Sequence, residues 1–149
     1  MNELGDFQIL LIDDHPSDAK LFEHALEQTE TRAKLYWVAS AEEGLSYLKQ
    51  EGRFTGASRV RLVVSDLSMP GMDGFEFLAA ARRNPALAVI PIVIMSSSRS
   101  PRDVLRCYRL GANSFITKPM SLETFVPTIG TQVRYWLDVV ELPDPLMID

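Results

Sequence analysis

Asp13 and Asp14 form an acidic doublet directly after a short apolar run, and Asp66 stands alone after another. Ser96-Ser97 and Lys118-Pro119 close two further runs. If these run ends meet, three carboxylates, a hydroxyl and an ammonium share one edge. Two unit charges about 4 Å apart repel by about 4 kcal/mol at an effective dielectric of 20. A divalent cation removes that repulsion, and an all-oxygen donor set favours magnesium, which keeps several waters and accepts a phosphoryl oxygen. Each feature alone is ordinary, since an acidic doublet is usually a solvated turn and a terminal lysine usually faces water. Their order on successive run ends makes them one constellation.

The elements that must position these groups are legible as alternating patterns. Residues 7–12, 35–38, 62–65, 90–95 and 114–117 are dense in aliphatic and aromatic residues, as strands buried on both faces require. Between them lie segments of helical period. Ala19, Phe22, Ala25 and Leu26 make one apolar stripe, and Leu45 and Leu48 continue another after the capping-box spacing of Ser40 and Glu43. Asp73 and Glu76 repeat that start signal before residues 77–81, and Asn84-Pro85 ends the segment. Ser100-Pro101 opens a fourth helix, with Gly111 at its C-terminal stop. Ser121 opens a fifth, striped by Leu122, Phe125, Ile129, Val133, Trp136, Leu137 and Val140. Pro127 and Gly130 interrupt that stripe and predict a kink or a delayed helix start. Residues 51–61 read as a long surface loop. The pattern predicts an α/β fold, (βα)5, with a doubly wound five-stranded parallel sheet whose functional side chains gather at the strands' carboxyl ends.

Composition narrows the class. Hydrophobic residues at 46% and charged residues at 23% describe a globular chain rather than a disordered one. One cysteine excludes an internal disulfide, and two histidines make a structural zinc site improbable. A net charge of −5, with no basic run beyond a doublet, argues against nucleic acid as a partner. No apolar run is long enough to span a bilayer, and residues 1–6 lack the pattern of a signal peptide, so a cytoplasmic protein is expected.

The ordered set Asp13-Asp14, Asp66, Ser96 and Lys118-Pro119, with the stretch from Asp66 to Gly74, resembles the receiver domain of two-component response regulators. The resemblance covers about residues 7–137. More narrowly, residues 106–119 and the tail from Trp136 to Pro143 are similar to single-domain regulators paired with bacterial and cyanobacterial phytochrome kinases. It implies a flavodoxin-like receiver fold of strand order 2-1-3-4-5, with residues 1–140 as the receiver and 141–149 as a C-terminal extension without an output domain. It implies that Asp66 accepts a phosphoryl group from a sensor histidine kinase or a phosphotransfer protein. Asp14, Asp66 and the Ser68 carbonyl would hold Mg²⁺ directly, with Asp13 acting mostly through water. Lys118 would pair with a phosphoryl oxygen, Ser96 would donate its hydroxyl, and Ser97 a backbone N–H. Phe115, Ser96 and Pro119 would form the conformational switch, with a cis peptide before Pro119. Phenylalanine and serine here replace the commoner tyrosine and threonine, so a hydroxyl hydrogen bond is lost from the switch.

Rival readings are weaker. An aspartate-nucleophile phosphatase needs a second carboxylate two residues after the nucleophile, and position 68 is serine. A phosphorylation-independent dimerisation module would have no need of an intact pocket. Cys107 reads as a small buried hydrophobe, His15 as a helix-start residue rather than a ligand, and His24 as surface. Arg102, Arg106 and Arg109 share a solvated helical face. The stripe of Phe125, Ile129, Val133, Trp136, Leu137 and Val140 outruns a single strand, which predicts a homodimer through this helix, with Leu142, Leu146 and Met147 adding to the patch. The competing expectation is that residues 141–149 fold back over their own helix.

Overall fold

Strand residues alternate between two cores. The computed structural model describes residues 7–144 and 147. In strand β1 (Phe7–Ile12), Ile9 and Leu11 face one side of the sheet while Leu10 and Ile12 face the other. The same division runs through β3 (Leu62–Ser65) and β4 (Ile92–Ser96). Strands β2 (Ala33–Val38) and β5 (Ser114–Thr117) complete a parallel sheet of order β2-β1-β3-β4-β5, as expected. With β1, β3 and β4 in the interior, all carboxyl ends point to one edge. The order changes direction between β1 and β3, which opens the crevice where such sheets bind ligands.

Helices α1 (Pro16–Gln28) and α5 (Leu122–Arg134) cover one face through Ala19, Phe22, Ala25, Phe125, Ile129 and Val133. Helices α2 (Ala41–Lys49), α3 (Gly74–Arg83) and α4 (Pro101–Arg109) cover the other, with Tyr47, Phe77, Leu78 and Cys107 inward. The start signals act as their spacing predicts. Ser40 accepts the Glu43 N–H, Asp73 and Glu76 form a reciprocal capping box, and Ser100 caps α4 ahead of Pro101. Cys107 is fully buried, and burial, with Asp103 nearby, pushes its thiol up to about 11. It packs as a small hydrophobe, as expected. On the outer face of α4, Arg106 stacks 4.0 Å above the Phe75 ring.

Three expectations are corrected. Residues 51–61 are not wholly a surface loop. A single 3₁₀ turn, Gly52–Phe54, buries Phe54 against Tyr36 and Tyr47, with ring centroids 6.0 and 5.1 Å away. Of the two outcomes expected from Pro127 and Gly130, a kink or a delayed start, helix α5 excludes the delayed start. Ser121 caps it, and it continues through Pro127, whose missing N–H leaves only the carbonyl of exposed Glu123 to solvent. Gly130 serves close packing, because a Cβ there would lie 3.2 Å from Oγ1 of Thr29, the C-cap of α1. The third concerns the apolar stripe. Phe125, Ile129 and Val133 are buried in the chain's own core against α1, so they do not line a partner surface. A wide π-turn at Tyr135–Val139 follows, and its Trp136 and Leu137, with Leu142 beyond it, pack half-buried on the same core. The segment just after the helix therefore folds back in part, and Val139 is left 69% exposed. Leu146 lies outside the described residues.

Candidate functional site

The carboxyl ends of β1 and β3 deliver Asp13 and Asp66 as buried residues, with half-buried Asp14 between them and solvent. Local backbone holds each one. Trp37 on the neighbouring strand donates its indole N–H to the Asp13 carbonyl (2.7 Å). Asp66 Oδ1 accepts the Leu67 N–H (2.7 Å), and the Ser65 hydroxyl donates to the Asp66 carbonyl (2.8 Å). Gly74 packs hard behind this loop. A Cβ at that position would lie 2.7 Å from the Asp66 carbonyl oxygen and 2.8 Å from Leu67 Cα, so only glycine lets α3 begin there.

Lys118, at the end of β5, reaches back across the pocket. Its Nζ lies 3.1 Å from Asp13 Oδ2, 2.9 Å from Asp18 Oδ2 and 3.4 Å from Asp66 Oδ2. Burial works against the ammonium, but the Asp18 bond and the Asp66 and Asp13 charges outweigh it and hold its pKa well above the ordinary lysine value. Asp66 moves the other way. Burial dominates and raises its carboxyl above the usual range, Lys118 opposes that, and Asp13 adds to it. The ionised form of Asp66 is thus an energetically costly one, of the kind a bound cation would relieve.

The donor set suits such a cation. Asp13, Asp14, His15 and Asp66 each place one ligand atom within 4.8 Å of the others. Asp14 Oδ1 is buried and accepts no hydrogen bond, an orphaned acceptor in the middle of this cluster. Hard oxygen donors of this kind fit Mg²⁺ or Mn²⁺.

The remaining expected residues lie on the same edge, at or just after the ends of the strands. Ser96 is buried at the end of β4, where its Oγ accepts the Ser98 N–H (3.1 Å). Ser68 and Ser97 are exposed on the loops after β3 and β4. Phe115 is half-buried beside the α4 face, and its backbone N–H donates to the Tyr108 hydroxyl (3.2 Å). The peptide leading into Pro119 is trans, as are all those among the described residues, which corrects the cis expectation. Trans is the intrinsically preferred form even before proline, and here it coexists with the Lys118 N–H to Ser96 carbonyl bond (2.7 Å). Asp18 and Tyr108 were not singled out by the sequence. Asp18 had a signal, an acidic residue in the first turn of α1 one turn beyond the doublet, but that reads equally as a helix-dipole residue. His15 does stand at the start of α1, with no side-chain cap bond. Its ring nevertheless points into the acids, and Asp14, then Asp13, raise its pKa above the ordinary value.

A doubly wound sheet with this acidic pocket, lysine and buried serine defines a phosphoacceptor signalling domain rather than a classical enzyme. Residues 9–129 match the family profile of the response regulator receiver domain, and the chain belongs to that family. It is 30% identical over 135 residues to Response regulator Rcp1 of Synechocystis sp., covering 91% of this chain and 92% of that protein. It is 34% identical over 140 residues to the probable methanogenesis regulatory protein FilR2 of Methanothrix harundinacea, covering 93% and 89%. Among solved structures, the phosphorylated cyanobacterial phytochrome response regulator RcpA superposes with a TM-score of 0.88 at 32% identity, covering 93% of this chain and 99% of that one. The Mn²⁺-bound form of Rcp1 gives 0.85 at 30% identity, with the same coverage of 93% and 99%.

Proposed function

We propose that Asp66 takes a phosphoryl group from the phosphohistidine of a sensor histidine kinase or phosphotransfer protein. The observation that carries this reading is the buried Asp66 carboxylate, its pKa raised, with Lys118 Nζ 3.4 Å away and Asp13 and Asp14 alongside. An Asp66 carboxylate oxygen attacks phosphorus, the P–N bond breaks, and the imidazole nitrogen leaves with its electron pair. Asp14, Asp66 and the Ser68 carbonyl would hold Mg²⁺, with Asp13 acting mostly through water, and the bound cation would supply charge neutralisation for the transferring group. Lys118 is held ready beside the nucleophile and turns from the carboxylates to a phosphoryl oxygen as that charge arrives. Ser96 gives up the Ser98 N–H and donates its hydroxyl to the phosphoryl group, and Ser97 contributes its N–H. Phe115 and Pro119 lie on the strand and loop that this movement shifts. Slow attack of water on phosphorus returns the domain to its resting state.

The partner we favour is a phytochrome-type kinase, since the similar regulators RcpA and Rcp1 include one named as a phytochrome response regulator. The same reading puts the exchange in the cytoplasm; no described helix is long and apolar enough to cross a membrane. Incubation with a small phosphodonor and Mg²⁺ is expected to add one phosphate by intact mass, and Asp66→Asn to add none. Equal labelling of that variant, or labelling in chelator, refutes the assignment.

A homodimer belongs to the same proposal, built now on the exposed apolar residues at the end of the last helix. Tyr135 (46%) and Val139 (69%) are large side chains left to solvent there. Trp136, Leu137 and Val140 lie half-buried at the margin. Light scattering at micromolar concentration is expected to give a dimer mass for the full chain and a monomer mass for Val139→Glu. A monomeric full chain, phosphorylated or not, removes the dimer.

A further inference from the structure

The pocket contains a nitrogen donor that the receiver reading leaves idle. His15 Nδ1 lies 3.3 Å from Asp13 Oδ1, 3.3 Å from Asp14 Oδ1 and 3.9 Å from Asp66 Oδ2. Ligand atoms about 2.1 Å from an octahedral cation stand about 3.0 Å apart when adjacent and about 4.2 Å when opposite. The His15 separations fall inside that range, which places the ring beside the atoms that would share one coordination sphere. Backbone geometry already aims it. The His15 N–H donates to Asp13 Oδ1 (2.9 Å), and the residue sits extended at the start of α1 with φ −102° and ψ 109°. The buried Asp14 Oδ1 that accepts no hydrogen bond is one of the atoms next to this nitrogen.

Oxygen-only sites suit magnesium, whereas imidazole favours the later first-row divalent cations. We propose that His15 is a ligand of the pocket cation and that its nitrogen shifts selectivity from Mg²⁺ toward Mn²⁺, Co²⁺ and Ni²⁺. This inference rests on the reading that Asp14 and Asp66 hold a cation here. The sequence alone places His15 as a helix-start residue, and it does stand there; the ring's direction is what adds the second role. In the cell, transition-metal supply would then bear on how readily this regulator is charged with phosphate.

The test uses the untagged full chain, unphosphorylated, titrated calorimetrically with Mg²⁺, Mn²⁺ and Ni²⁺. His15→Ala is expected to weaken Ni²⁺ about 10-fold or more while changing Mg²⁺ by no more than about 3-fold. Electron spin echo spectroscopy of bound Mn²⁺ is expected to show nitrogen coupling in the wild type and none in His15→Ala. His24→Ala, which removes the other histidine, is expected to leave the affinities unchanged. A Ni²⁺-to-Mg²⁺ affinity ratio unaltered by His15→Ala, or the absence of nitrogen coupling in the wild type, overturns the role of His15. Asp14→Asn separates the two levels. Loss of all three cations in that variant keeps the pocket reading whatever His15 does, and wild-type binding by it overturns the pocket and this inference together.

Discussion

Replacing Arg82 by alanine is expected to lower the melting temperature by about 6–12 °C, from a loss of roughly 3 kcal/mol. The guanidinium at the end of α3 is a clamp made of backbone acceptors. Its Nε donates to the Gly111 carbonyl (2.9 Å) and its Nη1 to the carbonyls of Ala88 (3.0 Å) and Ile90 (2.9 Å). Its Nη2 donates to Asn113 Oδ1 (2.8 Å), which also accepts the Ile92 N–H at 2.8 Å. One side chain thus joins α3, the connection into β4 and the turn into β5. Burial penalises the charge and lowers its pKa from the usual arginine value, but all three guanidinium nitrogens donate to fixed acceptors. Alanine leaves those carbonyls without partners, and Arg82→Lys rescues little because one ammonium cannot reach them all. The clamp lies at the amino ends of β4 and β5, away from the pocket. Phosphoryl acceptance per folded molecule is therefore expected to stay at the wild-type level, and a melting temperature within about 2 °C of wild type contradicts the clamp.

The second large effect pairs a gain with a loss. Asp66→Asn abolishes phosphoryl acceptance, yet in chelator it is expected to melt higher than the wild type, by about 2–4 °C for each kcal/mol recovered. Burial raises the Asp66 carboxyl, so the folded protein holds that proton more tightly than the unfolded chain does. The associated stability is full below the ordinary carboxylate range, near 3.8, and is lost as pH rises through the raised value. At neutral pH the ionised group is a net cost. Asparagine removes that charge and its repulsion with Asp13, while Lys118 keeps Asp13 and Asp18. Magnesium acts in the opposite sense. At ten times Kd the wild type gains about 1.4 kcal/mol, and the variant, short of a ligand, gains less. Thermal melts of both proteins with chelator and with Mg²⁺ check this, and a variant less stable than wild type in chelator contradicts it.

The carboxylates and the lysine were readable because a parallel sheet sends every strand's carboxyl end to one edge. Asp13, Asp14, Asp66 and Lys118 needed only the strand pattern to be brought together. The groups that went unseen depend on reach across the fold. The Lys118–Asp18 bond and the Tyr108 hydroxyl on the Phe115 N–H connect different elements, and no local spacing encodes either. Trp37 is similar, a strand aromatic whose indole meets the Asp13 carbonyl only once β1 and β2 pair. The last helix shows a different limit. Helical period identifies an apolar stripe but not what covers it, and here α1 takes Phe125, Ile129 and Val133. Phe54 was missed because a single buried aromatic in a polar loop has no period at all.

The strand order also divides the pocket by how firmly it is anchored. Asp13 and Asp66 follow β1 and β3, interior strands with a partner on each side, whose apolar residues are buried. Lys118 follows β5, a four-residue strand at the sheet's edge whose residues are all only half-buried. Amide exchange from interior strands requires opening of the whole domain, whereas a short edge strand detaches at a fraction of that free energy. Local opening at β5 is therefore expected to withdraw the ammonium while the acids stay in register, and to carry Phe115 with it as part of one small unit of unfolding.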